Sequence, residues 1–498
     1  MKLIKRWGLL AVLFTFGFAP AAALAGSGKH HTDFEVTTAS EEAKKLFKKG
    51  RKALDRGHFL RANTLFREAV AADPQFAYAW LNIANSANTG AEFNANVKKA
   101  VEFADGASEG ERLLIAFNAT FLDNNAEKRL KIGEKLTKKF PDNARAWVTR
   151  AGGYTSLNRH EEARKTLAKA AEMAPEWMTP QSNLGFSYLF NEPKDFVKSA
   201  KYFQKAIDLD PENGQAWVNL GDAHRAQKNL ERARADYTKA VTLDDGNSLA
   251  FIKRGHVNSF LGNFDEARTD YQRSIDATQR QAKANFANYK AFTHVHAGDS
   301  GAAIAELKGV LKSVDDSEMA KEQAVGNKIF TLTNIATIAL HEGDLDAAEW
   351  AIKKRAKLQR ATVEGSGDNA RIRAQEANIA YFEGQLAARR GDFATAMAKA
   401  ERNAELVDPD PNPRKLEPYH DLMGLIALRQ GEFAKAVEHY EQANPGFMYS
   451  RYHLALALEG AGEAERAQAL FREVGEWNFN SVGFALVRRD ALSKAGEV

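Results

Sequence analysis

The chain has no cysteine among its 498 residues. That excludes disulfides, thiolate metal sites, a cysteine nucleophile and a lipidated cysteine behind a leader, so the fold must be held by apolar packing. An excess of charge of one sign is missing too. The formal +4 shrinks when Lys2, Lys5 and Arg6 are set aside, because 66 basic residues then face 65 acidic ones. A nucleic-acid binder is expected to carry a basic excess or stripe, so nucleic acid is not an expected partner. Beyond residue 25 no apolar run approaches the roughly 20 residues of a membrane span, and no transmembrane segment is expected there.

Motifs of catalysis are also missing. His160-Glu161-Glu162 and His341-Glu342-Gly343 lack the second histidine one turn on that would place two zinc ligands on one helical face. Neither a P-loop nor a G-x-S-x-G elbow occurs, and Gly365-Ser366-Gly367 falls in a polar loop. His294 and His296, two apart, point to different faces of a helix. His30 and His31 with Asp33 carry metal-ligating chemistry, but they lie on a polar terminus. Carboxylate pairs such as Glu161-Glu162 and Asp315-Asp316 sit at turns or helix starts, where capping explains them. No enzyme activity, cofactor or metal is therefore expected.

What is present begins with a leader. Lys2, Lys5 and Arg6 precede an uncharged stretch from Trp7 that ends in Pro20 and Ala23-Leu24-Ala25, followed by Gly26. This is the pattern of a secretory signal peptide over 1–25, cleaved after Ala25. Trp7 to Ala25 would also just span a bilayer as an anchor, but Pro20 ends its most apolar run. The expectation is an exported protein, periplasmic or secreted.

The dominant feature is a phrase that returns about every 34 residues. Ala79-Trp80-Leu81-Asn82-Ile83-Ala84 is echoed by Ala216-Trp217-Val218-Asn219-Leu220-Gly221, with Ala146-Trp147 between them, and Pro74, Pro141, Pro175 and Pro211 recur in phase. Trp217, Leu220, Gly221 and His224 share one helical face, and Ala233, Tyr237 and Ala240 share another after the break at Lys228-Asn229. Gly221 and Ala233 lack bulk, so the two helices can approach while Trp217 and Tyr237 fill the space around them. Proline and the Asp, Asn and Ser around it end one helix and cap the next.

On these residues the chain resembles the tetratricopeptide repeat family. The resemblance implies an all-α fold, a right-handed α-solenoid (superhelix), in which the first helix of each pair lines a concave groove that grips a peptide or helix. The phase gives about twelve helix pairs, starting near 43, 77, 110, 144, 178, 214, 248, 284, 329, 377, 417 and 448. Gly298, Gly343, Gly391, Gly431 and Gly462 keep the later pairs in register at their turns. Residues 26–42 are expected to be a flexible terminus, 43–312 a regular block, 313–328 an insertion, and 329–475 a less regular block. Loops are expected near 361–372 and 408–416, where inserted residues leave the stack. Phe479, Val482, Leu486, Arg489 and Leu492 fall at helical spacing, so 476–498 is expected to be a capping helix over the last apolar face.

The candidate binding residues lie on the first helices. Asn82, Asn183, Asn219 and Asn334 stand two residues after the aromatic site, where an amide can donate to and accept from a peptide backbone. Arg225, Lys253 and His256 are expected to face the same groove and to meet a carboxylate. Lys253 and Thr149 interrupt the ladder, and the family's clamp for C-terminal carboxylates is not reproduced in consecutive repeats. Tyr289, Phe292, Tyr381 and Phe382 are expected either to make a more apolar stretch of groove or to pack between repeats. The function expected is a scaffold or adaptor for a protein or peptide partner. The alternatives are a part of an envelope export or polysaccharide-secretion assembly, and an enzyme site in the C-terminal block.

Overall fold

The structure is a computed structural model that describes residues 32–496 apart from 56, 57, 88, 279 and 318. The proposed leader and His30-His31 lie outside the described residues. The described residues form 25 α-helices and no strand. They are twelve antiparallel pairs and one terminal helix, an α-solenoid. The first helices begin at 41, 77, 109, 144, 178, 214, 248, 280, 321, 369, 417 and 448; ten lie within four residues of the starts read from the phase, and those at 321 and 369 begin eight residues earlier.

Five of the twelve pairs are locked by the same device. A glycine of the first helix lies under an aromatic ring of the second: a Cβ on Gly221 would fall 2.6 Å from Tyr237, and one on Gly50, Gly185, Gly255 or Gly424 would fall 2.6–2.9 Å from Phe66, Phe203, Tyr271 or Tyr440. Only glycine admits the ring, and the ring in turn fills what glycine leaves open. A second recurring contact joins pair to pair. The indole N–H of Trp80, Trp147 and Trp217 donates to the carbonyl of Pro74, Pro141 and Pro211 at 2.9, 2.7 and 3.0 Å. Tryptophan and proline recur together because one pins the turn that the other makes.

The turns differ between early and late pairs. Gly262, Gly298, Gly343, Gly391, Gly431 and Gly462 hold φ between +76° and +84°, the left-handed conformation that suits glycine. Asn124, Asn158 and Lys228 take the corresponding conformation in earlier pairs.

The chain divides into two compact units, Met1–Asp245 and Gly246–Val498. The described part of the first holds six helix pairs; the second holds six pairs and the terminal helix. The change of regularity expected near 312 therefore falls inside the second unit. In that unit successive first helices pack on one another and the second helices do not to the same degree, which puts the first helices on the inner face.

Three expectations are corrected. Residues inserted near 313–328 do not leave as a long loop, and of those near 361–372, where a loop was expected, 362–368 do while the rest are helical. The helical ones add turns to Lys321–Glu342 and Asn369–Arg390, leaving, among the described residues of these stretches, only 316, 317, 319, 320 and 362–368 outside helices. Extending a helix satisfies its backbone groups internally, which a loop does not. The stretch 408–416, rich in proline, is non-helical as read.

The flexible terminus does not extend to residues 32–42. Thr32–Ser40 runs extended across the first unit with Phe34 buried, and a helix starts at Glu41. The terminal helix Val482–Ala495, finally, is more than a cap. It packs on Ala464–Gly475, but also on Arg280–Ala297, Lys321–Glu342 and Met448–Gly460 of the inner face. Phe479, assigned to its apolar face, precedes the helix and is exposed, whereas Phe484, Val487 and Ala491 are buried. A helix enclosed on several sides has no single apolar stripe, so periodicity misplaced its contacts.

Candidate functional site: two inner faces, each holding a segment of its own chain

The asparagine ladder is structural over most of its length. Asn82 is 1% exposed; its Nδ2 donates to the carbonyl of Tyr78 at 2.8 Å and its Oδ1 accepts from Arg51 at 3.1 Å. Asn334 is 3% exposed and donates to Asn288 Oδ1 at 2.8 Å, while Asn288 donates to Thr331 at 3.0 Å. Asn219 is buried and accepts from Gln215 at 2.9 Å. These amides are engaged within the stack, on their own helix or with the neighbouring repeat, which corrects the reading of Asn82, Asn219 and Asn334 as direct contacts to a partner. A buried amide must find a hydrogen-bonding partner, and these find it one turn away, for Asn82 and Asn219, or on the first helix of the preceding repeat, for Asn82 and Asn334. Asn183 is half-buried on the helix Met178–Phe190.

The charged candidates are also tied in. Arg225 lies 3.7 Å from Asp222, whose carboxylate accepts from the buried Tyr237 hydroxyl at 2.7 Å. Lys253 is half-buried on Ser248–Leu261. His256, on the same helix, has Nδ1 2.8 Å from the Tyr271 hydroxyl and its ring 4.7 Å from that of Tyr289. Phe292 and Phe382 are buried and Tyr381 donates to Asp421 at 2.6 Å, so these aromatics pack between repeats.

What the inner face of the first unit holds is the extended segment Thr32–Thr38. Arg145 donates through Nε to the carbonyl of Thr32 at 2.7 Å and through Nη2 to the Asp33 carboxylate at 3.2 Å. Arg51 reaches the same carboxylate oxygen at 3.4 Å, and Asn143 donates to the Asp33 carbonyl at 3.3 Å. Both guanidinium groups are buried, with side chains 9% and 3% exposed, whereas the Asp33 side chain is 68% exposed. Phe34 inserts beside Gly110, where a Cβ would lie 2.3 Å from its ring, and meets Phe140 edge-on at 5.1 Å. Farther along, the Thr37 N–H donates to Glu111 at 3.0 Å and the Ser108 hydroxyl to the Glu35 carbonyl at 3.0 Å.

Glu111 is the capping-box residue of its own helix, and burial raises its pKa against the bonds from Thr37 and Ser108. Asp55 lies in the same region, buried and with Oδ1 unbonded; burial pushes it up to about 7 although Arg51 and Arg145 oppose this.

The inner face of the second unit holds the C-terminal segment. Asn480 Nδ2 donates to the Tyr271 hydroxyl at 3.2 Å and lies 3.3 Å from His256, while its Oδ1 accepts from His296 at 3.1 Å. Burial lowers His296 to about 4, which keeps its ring neutral. Phe484 meets the rings of Phe260 at 5.5 Å and His296 at 6.1 Å. At the other side, Tyr452 donates to Asp490, and His341 and Arg389 bond the Tyr449 hydroxyl at 3.0 and 2.9 Å. His256, read as a ligand contact, therefore binds this chain's own terminus.

Sequence reasoning missed Asp33, Phe34, Arg51, Asn143, Arg145 and Asn480. One signal was available: Arg51, Asp222 and His256 each directly follow the packing glycine of their helix, a position that faces inward. Among the described residues, no group of three or more His, Asp or Glu is placed to hold a metal ion, and no helix is long and apolar enough to cross a membrane.

Helix pairs stacked with their first helices inward, locked by a glycine under an aromatic ring, define the class of α-solenoid repeat scaffolds. Models described as tetratricopeptide repeat match residues 47–95 and 195–248, and residues 144–176 and 250–280. The chain carries tetratricopeptide repeats over these residues. It is 31% identical over 94 residues to the pre-mRNA-splicing factor CLF1 of Paracoccidioides brasiliensis, a stretch covering 19% of this chain and 13% of that protein. A solved structure of YrrB, described as a tetratricopeptide repeat protein with an unusual peptide-binding site, is similar at 20% identity over 39% of this chain and 97% of that one, with a TM-score of 0.31. The APC/C hetero-tetramer Cut9-Hcn1 is similar at 15% identity over 90% of this chain and 78% of that one, with a TM-score of 0.38.

Proposed function

We propose that this protein is an exported, non-catalytic adaptor that binds a protein partner on the inner faces of its repeat units. The observation that carries the reading is the treatment of residues 32–38: an extended chain gripped through its backbone carbonyls, one carboxylate and one aromatic ring by side chains of separate repeats. That is how a groove binds a peptide. Tetratricopeptide repeats support protein partners in general, and the near balance of charge beyond residue 25 argues against nucleic acid. Export rests on the charged start, the apolar run and Ala23-Leu24-Ala25.

A photo-cross-linking residue at Asn183 or Lys253, on first helices, should capture a partner in the native compartment. The same residue at Glu231 or Lys239, exposed on a second helix, should not. Equal capture from both positions counts against inner-face binding. Intact mass of the protein from its own host tests export, with a start other than Gly26 counting against the proposed cleavage.

A further inference from the structure

We propose that the inner face of the first unit is a recognition site for an extended peptide carrying an acidic residue followed by an aromatic one, and that Thr32–Thr38 is its intramolecular occupant, displaced by a partner with the same pair. The inference rests on the reading of the inner faces as protein-binding surfaces, and it adds the chemistry of what they recognise.

Four features make this segment a ligand rather than one more layer of the stack. It is extended where every repeat is helical, and its contacts reach from 18 to as far as 113 residues along the chain. Its side chains alternate, Thr32 and Phe34 inward and Asp33 and Glu35 outward, as an extended peptide on a surface must. Its backbone is held by groove side chains, Arg145 on the Thr32 carbonyl and Asn143 on the Asp33 carbonyl, a mode that does not depend on the ligand's own sequence.

The fourth feature is the pocket chemistry. Two buried guanidinium groups from different repeats converge on one oxygen of an outward-facing carboxylate. Burying cations is costly unless an anion meets them, so the pocket is built for an acid. Beside it, Gly110 leaves a slot that takes a flat ring edge-on to Phe140 and would reject it if any Cβ were present. Acid and ring are adjacent in sequence, so the pocket reads a dipeptide. Because the occupant is tethered, it competes at an effective concentration on the order of millimolar, and an incoming partner sees a weakened site until it outcompetes the tether.

The test uses the full chain and a labelled synthetic peptide, Thr-Asp-Phe-Glu-Val-Thr-Thr-Ala-Ser, the sequence of residues 32–40. In fluorescence anisotropy, the double variant Asp33→Ala/Phe34→Ala should bind this peptide at least ten-fold more tightly than the native chain. Peptides carrying Asp33→Asn or Phe34→Ala should bind that variant at least ten-fold more weakly than the parent peptide. Equal binding to native and variant chains, or equal binding of parent and substituted peptides, overturns the proposal.

A second measurement needs no destabilising change. The chain has no cysteine, so Glu35→Cys at an exposed position takes a single spin label. Excess peptide should release the segment and sharpen the spectrum, and an unchanged spectrum at millimolar peptide sinks the idea. A partner captured from Asn183 with no peptide binding defeats this inference alone. Peptide binding without inner-face capture defeats the broader adaptor reading.

Discussion

The same substitution, glycine to alanine, should have opposite signs at two helical positions. In an exposed helix interior alanine is favoured over glycine by about 1 kcal/mol. Gly309, in Ser300–Asp315, has nothing within 4 Å of where a Cβ would stand, so Gly309→Ala should stabilise the second unit by about 0.5–1 kcal/mol. Gly221 is also inside a helix, but its Cβ would fall 2.6 Å from Tyr237 Cε1 and 2.8 Å from Cδ1. That is roughly 1 Å inside carbon–carbon contact, which lies near 3.5–4.0 Å.

The ring cannot swing away freely, since it is fully buried and its hydroxyl donates to Asp222 at 2.7 Å. Overpacking costs about 1–3 kcal/mol, and a lost bond to a charged acceptor about 1.5–3 more. The propensity gain is smaller than this sum, so Gly221→Ala should lose about 1.5–5 kcal/mol net. For a unit of this size each kcal/mol moves the melting temperature by about 2–4 °C. Urea and thermal melts followed by circular dichroism and by Trp fluorescence would read both changes. On a Tyr237→Leu background the penalty at 221 should largely vanish. Stabilisation by Gly221→Ala similar to that at Gly309, or no coupling to Tyr237, would refute the packing argument.

Other outcomes follow from single contacts. Trp217→Phe keeps an aromatic six-membered ring but removes the pyrrole half of the indole with the N–H bonded to Pro211, and should cost at least about 0.5–1.5 kcal/mol in melts, with faster hydrogen exchange at the 210–213 turn. His453 is buried and neutral, lowered to about 3, and His296 to about 4, so the unfolded chain takes up protons that the folded unit refuses. Their contribution is therefore full above about pH 6.5 and is lost as pH falls toward 4, at about 1.4 kcal/mol per unit and group; His453→Gln should melt with a shallower acid slope, and an unchanged slope would count against it. Asp55 has the reverse sign: its fold favours the protonated form, so stability falls as pH rises from about 4 to 7, and Asp55→Asn should stabilise at pH 8 by up to about 4 kcal/mol while making little difference at pH 4. Equal effects of Asp55→Asn at both values would show that its burial is not what strains the site.

Much of the fold was legible because its determinants are local. Gly221 and Tyr237 are sixteen residues apart, and Trp217 and Pro211 six, so the contacts that build a repeat fall within its own period. The later insertions were misread for a physical reason: length added to a repeat can be absorbed as helix, as in Lys321–Glu342, and composition does not say which. The ladder was misread because Asn82 and Asn334 look alike whether their amides face a groove or bond to Arg51 and Asn288. Burial separates those cases, and periodicity carries no information about burial between neighbouring repeats.

By itself, then, the sequence determined the stack: how many pairs, where most of the first helices begin, and that Gly221 and Tyr237 pack together. Tertiary structure alone decided what lies on the inner faces. Asp33 meets Arg145 across 112 residues and Asn480 meets His256 across 224, and neither contact repeats. A period specifies how each unit sits on the next, since that contact recurs and is reinforced each time. Where the two terminal segments run depends on one-off charges, rings and hydrogen-bonding groups that meet only after the stack has formed.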